Sequence, residues 1–472
     1  MADPRDDLDA WMNGQVQPLP PPPGTFELIR KRARRRKVTR AAAAAAGAAA
    51  VIAVIATVPR LVITQLNVGP GPAASGNAAG DTSSSGGHRR HHASASPSAV
   101  PSRSASAPAT VPPPAPGNFQ ATSVTFVGPH TGFVLGQAGT PGQCGPPAKY
   151  ICTSIAGTGD QGGSWHGVPA PVSGAPSGAA GISQVRFYDT SDGWAFGPQL
   201  WATHDGGQHW TRSRTHGLRV TALETAGQRA FAVWAQCSGG GADFAADCTS
   251  SALYSASPGS DQWAPVPGAG TGYSLSGTAS SAALVLTGAR GYLLAPDGTL
   301  LSGPATAAGA WSPVTSKGTA SPSPAPCEPG AAQASGQPSG ALMATTTTTP
   351  QGLVLVCASP ATGGTQAKTV YASADGGQTW QKAGRAPAAG AATSVAGTTT
   401  GTIVMATTAG LDVSTDGGAT WTAAPGPLPS GGFSYVGMTS PQQGVAVPAD
   451  VTQHAVWFTF DGGQAWHASP IS

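Results

Sequence analysis

Apolar and polar positions alternate over the C-terminal three-quarters of this chain in short runs separated by glycine-rich turns. VTFVGPHTGFVLG from Val124, VRFYDTSDGWAFG from Val185 and YVGMTSPQQGVAVP from Tyr435 each read as an apolar run, a polar turn and a second apolar run. A period of two around a central turn is the pattern of a β-hairpin. A further alternating run, as from Val456 to Phe460, then enters a ten-residue phrase written most legibly as YASADGGQTW at Tyr371 to Trp380. Hairpin, third strand, tight turn and a last strand carrying the Trp make a four-stranded antiparallel blade of roughly 40 to 45 residues.

The phrase occurs five times, with Asp160 and Trp165, Asp205 and Trp210, Asp375 and Trp380, Asp416 and Trp421, and Asp461 and Trp466 as its fixed points. A Ser or Thr precedes each Asp by two residues (Thr158, Thr203, Ser373, Ser414, Thr459), and a Gly follows it by two (Gly162, Gly207, Gly377, Gly418, Gly463). A carboxylate can accept the backbone N–H groups of its own turn, glycine supplies positive φ, and an indole anchors the turn on apolar neighbours. The phrase resembles the Asp-box of the bacterial neuraminidase repeat, S/T-x-D-x-G-x-x-W, which occurs in sialidases and in propellers without enzymatic activity. The resemblance implies that these aspartates are structural and peripheral, neither metal ligands nor catalytic acids.

The five aspartates stand 45, 170, 41 and 45 residues apart, so the long interval should hide further blades. YSASPGSDQW, ending at Trp263 with Pro258 in place of the Asp, is one degenerate copy; LLAPDGTL around Asp297, with Trp311 further on, is the other. The expected fold is all-β, a single β-propeller over residues 118–472 with seven four-stranded blades, six and eight being the alternatives. An Ala/Ser/Pro-rich insertion near 312–340 takes up the excess length. No donated strand is evident for closing the ring, though Phe119 to Ser123 could supply one.

The preceding third of the chain follows other rules. Residues 1–40 read as a disordered, basic cytoplasmic segment, with eight Lys or Arg between Arg30 and Arg40. An apolar run from Ala41 to Val58 would span about 27 Å as a helix, and extension through Leu61 to Ile63 reaches membrane thickness. Residues 41–63 are therefore expected to be a transmembrane helix, and the membrane a partner. The one-sided basic cluster orients it with the N-terminus cytoplasmic and the remainder exported. Cleavage as a signal peptide is the rival, but no A-x-A site follows. Residues 64–117, rich in Ser, Pro, Ala and Gly, read as an extracytoplasmic stalk. His88, His91 and His92 lie there beside Arg89 and Arg90, a poor setting for a metal site.

All six cysteines (Cys144, Cys152, Cys237, Cys248, Cys327, Cys357) follow the apolar run, which suits disulfides in an exported domain. Of the 15 connectivities that six cysteines allow, two local pairings stand out, Cys144 with Cys152 and Cys237 with Cys248, leaving Cys327 with Cys357 to tie the insertion to blade 5; metal binding is the competing use, though no spacing is CxxC. From residue 118 onward the chain has 11 Lys or Arg against 15 Asp or Glu. A mildly acidic domain disfavours nucleic acid, whose phosphates call for a basic face.

A sialidase would need clustered arginines, a Tyr with a Glu partner, and an acid. No Phe/Tyr-Arg-Ile-Pro motif occurs, and the nearest juxtaposition is reversed at Arg186-Phe187-Tyr188. Arg212, Arg214 and Arg219 cluster after one box; of the propeller's two glutamates, Glu224 is the one of interest, and it reads as a surface residue. No cofactor motif is present. The blade wording DGWAFG with ATHDGGQHW is similar to that of photosystem II assembly factors, which resemblance implies binding of partner proteins. The expected function is thus a monomeric, membrane-anchored, noncatalytic scaffold binding a protein or cell-wall glycan on a propeller face. A divergent glycoside hydrolase or glycan-binding lectin is the alternative, predicting acids and arginines from several blades converging at the channel mouth, and a ligand-free spacer is a third.

Overall fold

The computed structural model describes residues 112–472 except 139–151, 174–180, 238–247, 270–281, 288, 296–297, 308, 320, 322–324, 328–339, 346–350 and 399–400. The readings for 1–40, 41–63 and the stalk as far as residue 111, together with Cys144 and Asp297, lie outside the described residues. Among the described residues no helix is long and apolar enough to cross a membrane.

Seven four-stranded antiparallel sheets follow one another along the chain. Blade 1 comprises β1 (Gln120–Phe126), β2 (Gly132–Ala138), β3 (Cys152–Thr158) and β4 (His166–Val168); blade 2 comprises β5 (Gln184–Phe187), β6 (Gly193–Phe196), β7 (Leu200–Thr203) and β8 (Thr211–Arg212). Blade 3 is β9 (Arg219–Ala226), β10 (Arg229–Cys237), β11 (Cys248–Ala256) and β12 (Ala264–Pro265), and blade 4 is β13 (Ala283–Leu286), β14 (Arg290–Leu294), β15 (Leu300–Pro304) and β16 (Ser312–Pro313). Blade 5 is β17 (Gly340–Thr345), β18 (Leu353–Ala358), β19 (Lys368–Ser373) and β20 (Gln381–Ala386). Blade 6 is β21 (Ala392–Gly397), β22 (Ile403–Thr407), β23 (Gly410–Ser414) and β24 (Thr422–Ala423), and blade 7 is β25 (Phe433–Met438), β26 (Gly444–Pro448), β27 (Ala455–Thr459) and β28 (His467–Pro470).

Burial explains the order of strands within a blade. The first strands are closed in on both faces, as in β21 and β25, where every residue is buried, whereas β8, β12, β16 and β24 are exposed. Outer strands this short, with β12 and β16 ending in Pro, leave little edge for another chain to extend. The core lies between blades. Val285 and Leu294 of blade 4 join Leu353 and Val356 of blade 5 and Val395 and Ile403 of blade 6 in one cluster, each fully buried aliphatic contributing about 1.5–3 kcal/mol. Between blades 1 and 2, Phe133 stacks on Phe187 with ring centroids 3.7 Å apart.

The ring closes without a shared strand, since blade 1 is built wholly from the N-terminal side and blade 7 wholly from the C-terminal side. Phe119 to Ser123 enters the innermost strand of its own blade. Side chains make the seam: Trp165 Nε1 donates to Ser469 Oγ (3.0 Å), Gln443 Nε2 to Pro129 O (2.7 Å), and Phe126 meets Phe458 edge to face. Residues ahead of 118 also pack on the propeller: Gly167 N donates to Pro113 O (2.8 Å) and Pro114 pairs with His166 on the outside of blade 1. Cys237 with Cys248 and Cys327 with Cys357 form disulfides; the first joins β10 to β11 and the second fastens the insertion to β18 of blade 5.

The box turns are third turns, between the third and fourth strands of a blade. The box position of blade 4 is the β15–β16 turn, which has no Asp and relies on Trp311, 1% exposed and seated against Gly291 and Gly303. The box tryptophans also stand just before the outer strand rather than within it, as Trp165 does before His166.

Candidate functional site

Every connection in an antiparallel blade reverses the chain, so turns fall alternately at the two ends of the ring. First turns and box turns share one end. Second turns and the links between blades share the other, and the longest connections, β4–β5, β12–β13 and β16–β17, start and finish there.

At the box end the same hydrogen bonds recur. The Ser or Thr hydroxyl donates to the Asp Oδ1, at 2.9 Å for Thr203 with Asp205 and 2.8 Å for Thr158, Ser373, Ser414 and Thr459 with Asp160, Asp375, Asp416 and Asp461. That oxygen accepts the backbone N–H four residues on, at 2.9 Å in all five. The hydroxyl oxygen accepts the N–H of the following Gly at 2.8 to 3.0 Å. Hydrogen bonding from the His209 backbone holds Asp205, and from the Thr420 hydroxyl Asp416, at about 2. Carboxylates so fully engaged suit a turn better than proton transfer at neutral pH.

Each box also presses on the preceding blade. A Cβ on Gly162 would come within 2.4 Å of Phe458 in blade 7, on Gly207 within 2.6 Å of Val168 in blade 1, on Gly377 within 2.3 Å of Leu300 in blade 4, and on Gly418 within 2.8 Å of Val370 in blade 5. The motif therefore clasps neighbouring blades as well as closing a hairpin. Blade 3, which lacks the Asp, is held differently: His204 Nδ1 lies 2.6 Å from Asp192 and its Nε2 3.5 Å from Asp261 of blade 3. Burial alone would lower the His204 pKa, but the Asp192 hydrogen bond and the charge of Asp261 outweigh it and raise it.

The inner strands bring together residues far apart in the chain. Arg186 on β5 lies with its Nε 3.3 Å from Glu224 Oε1 on β9, and its Nη1 donates to Ser123 Oγ on β1 (3.3 Å). Its guanidinium carbon stands 6.0 Å from the ring centre of Tyr435 on β25. Blades 2 and 7 are not neighbours, so this approach passes in front of blade 1 and through the central space. The reading of Glu224 as a surface residue is overturned: it is 2% exposed, buried by the adjoining inner strands and ion-paired. Burial, opposed by Arg186 and reinforced by Glu224, pushes Tyr435 up to about 12. A nucleophilic phenol needs its pKa lowered, and the carboxylate of this cluster is already held by Arg186. A second buried pair lies between blades 5 and 6, where Lys368 Nζ donates to Pro387 O and Ala389 O, and burial pushes Asp412 up to about 6 against the pull of Lys368.

At the opposite end from the boxes, the β6–β7 turn and the β8–β9 link enclose a groove of about 510 Å³. Gln199, Arg212, Ser213, Arg214, His216 and Arg219 line it, and no carboxylate among the described residues does. The three arginines grouped in the sequence thus share one concavity, although it lies at the blade 2–3 border rather than on the axis. Leu218 N donates to Thr215 O (2.9 Å), closing a tight turn whose central residues, His216 and Gly217, lie at φ +53° and +84°. Tyr435, Ser123, Gln199 and His216 escaped the sequence reading; no local motif marks them, because each acts through a partner on another blade or turn.

No protein-family model matches the chain, and no curated protein matches it. Similar solved structures include YCF48 bound to a D1 peptide, at 16% identity over 74% of this chain and 95% of that one, with a TM-score of 0.42. The GH74 enzyme of Niastella koreensis is similar at 14% identity over 75% of this chain and 65% of its own (TM-score 0.35), and an ancestral GH74 enzyme at 13% over 74% and 44% (TM-score 0.45). The chain spans less than two-thirds of either GH74 chain. Likeness at this level says nothing of activity, and the propeller stands on its seven sheets.

Proposed function

We propose that this chain is a noncatalytic binding scaffold, a seven-bladed propeller held outside the cytoplasm by the apolar segment 41–63, which docks a protein or cell-wall ligand on the end opposite the boxes. One observation carries the reading: the convergent Arg186–Glu224–Tyr435 cluster is buried and internally paired, with its phenol at about 12. Hydrolysis at such a site would need a second carboxylate and a path to it. The end face, by contrast, carries the basic groove and Val172, 84% exposed.

Three experiments test this. Full-length protein given a panel of fluorogenic glycosides should release nothing above blank; turnover lost on Tyr435→Phe, which keeps the ring's shape, would establish the hydrolase alternative instead. A photocrosslinker placed at Val172 in intact cells should yield a discrete adduct, whereas one at Phe460 on the box end should not. Protease added to intact cells should cut the C-terminal domain, and protection until lysis would sink the exported topology.

A further inference from the structure

Blade 5 passes to blade 6 through the link 387–391, at the end opposite the boxes, and one buried side chain holds that link. Lys368, the first residue of β19 and 1% exposed, donates from Nζ to Pro387 O (2.6 Å) and Ala389 O (3.0 Å). The turn ahead of Lys368 grips the same link: Gln366 N donates to Ala388 O (2.8 Å), Ala392 N donates to Gln366 Oε1 (2.7 Å), and Gly390 N donates to Gly364 O (2.9 Å). An ammonium has three donors, and the third finds no acceptor among the described residues. Asp412 of β23 faces it from blade 6. That residue is 6% exposed, and among the described residues its carboxylate accepts no hydrogen bond and makes no ion pair. The elements around it carry few titratable groups: none on β22 or β24, its sheet neighbours, Tyr371 beside Lys368 on β19, and Lys382 and Arg385, both exposed, on β20. On the other face of β23, Leu411 and Val413 pack with Phe433 and Met438 of blade 7. Lys368 is the one charged group that acts on Asp412, and burial outweighs its pull to leave the carboxyl at about 6.

We propose that Lys368 and Asp412 form a pH-responsive latch on the link between blades 5 and 6, closed in acid and loosened towards neutral pH. A buried carboxyl without hydrogen bonds is most costly when ionised. Protonated, Asp412 makes no claim on Lys368, and the ammonium stays on the two link carbonyls. Ionised, it gains by taking the remaining Nζ–H or a water molecule. Either parts the blade border and draws Lys368 away from Pro387 O and Ala389 O. The folded state holds the Asp412 proton more tightly than the unfolded chain, whose value is near 3.8, so this contribution to stability grows as pH falls from about 7 towards 4. The latch acts on the end face argued to dock a ligand, and it stands whether or not anything docks there.

Urea unfolding of the full-length protein and of Asp412→Asn, at pH 7.5 and at pH 5, tests the latch. Between the two pH values the parent's folding constant should rise about tenfold more than the variant's, a comparison in which His204 and the other titrating groups cancel. Hydrogen exchange, corrected for its intrinsic pH dependence, supplies a local readout. The amides of Gly390, Ala391 and Ala392 should be better protected at pH 5 than at pH 7.5 in the parent, and equally protected at both in Asp412→Asn. Identical pH profiles of stability for parent and variant overturn the proposal. A stability difference with no change at the link amides also overturns it, leaving a buried acid that moves nothing. Where the substitution weakens the fold, the parent decides alone: link amides whose protection does not rise in acid relative to those of β26 sink the latch.

Discussion

Glu224→Gln removes one charge from the channel cluster while preserving side-chain shape, and its cost measures how closed the channel is. The Arg186–Glu224 contact is 3.3 Å between side chains 6% and 3% exposed. At an effective dielectric of 20 such a pair attracts by about 5 kcal/mol, most of it offset by the desolvation of both ions. Removing one partner keeps the desolvation of the other, so Glu224→Gln should destabilise by about 3–5 kcal/mol, and the Arg186→Met, Glu224→Leu double variant should return to within about 1 kcal/mol of the parent. Over a propeller of this size the single variant's loss corresponds to a Tm about 4 to 7 °C lower. Urea unfolding followed by tryptophan fluorescence reads both variants. A Glu224→Gln protein within about 1 kcal/mol of the parent would mean that water reaches Arg186, and the description of a closed, self-paired cluster would be refuted along with the function argued from it.

Gly418→Ala should cost at least about 2 kcal/mol, from φ +97° and a new contact 2.8 Å from Val370; adding Val370→Ala should recover the contact part only, as urea midpoints would show. His204 has a raised folded pKa, so its contribution is complete below the unfolded value near 6.5 and fades as pH rises through the folded value. With the ring 38% exposed, solvent limits that contribution to under about 1 kcal/mol, and His204→Gln should flatten this part of the stability profile above pH 6. Cys237→Ser with Cys248→Ser opens a loop of 11 residues and should cost about 2–3 kcal/mol, whereas no change in midpoint would show the link to be idle.

Blades with a complete box were readable from sequence because the box is local chemistry: hydroxyl, carboxylate, glycine and indole meet within ten residues. Blade 4 was harder to read because its third turn carries no Asp, which leaves Trp311 to mark it. Glu224 was misread for another reason. Inner strands are covered on both faces, so β9 offers no alternation to mark which face carries function, and the partner Arg186 lies 38 residues away on another blade. The arginine cluster was visible as composition, but its concavity depends on Pro198 and Gln199 in a turn of the preceding hairpin.

The seam between the last blade and the first fixes a timetable for synthesis. Trp165 waits for Ser469, 304 residues later, and Phe126 waits for Phe458. At 5–20 residues per second the ribosome takes about 15 to 60 s to supply them. Throughout that interval the flank of the first blade, with Phe126 and the Trp165 indole, emerges without the surface made to cover it. The last blade acts as a keystone, and a chain stopped short of it would present that bare flank to whatever quality control meets it.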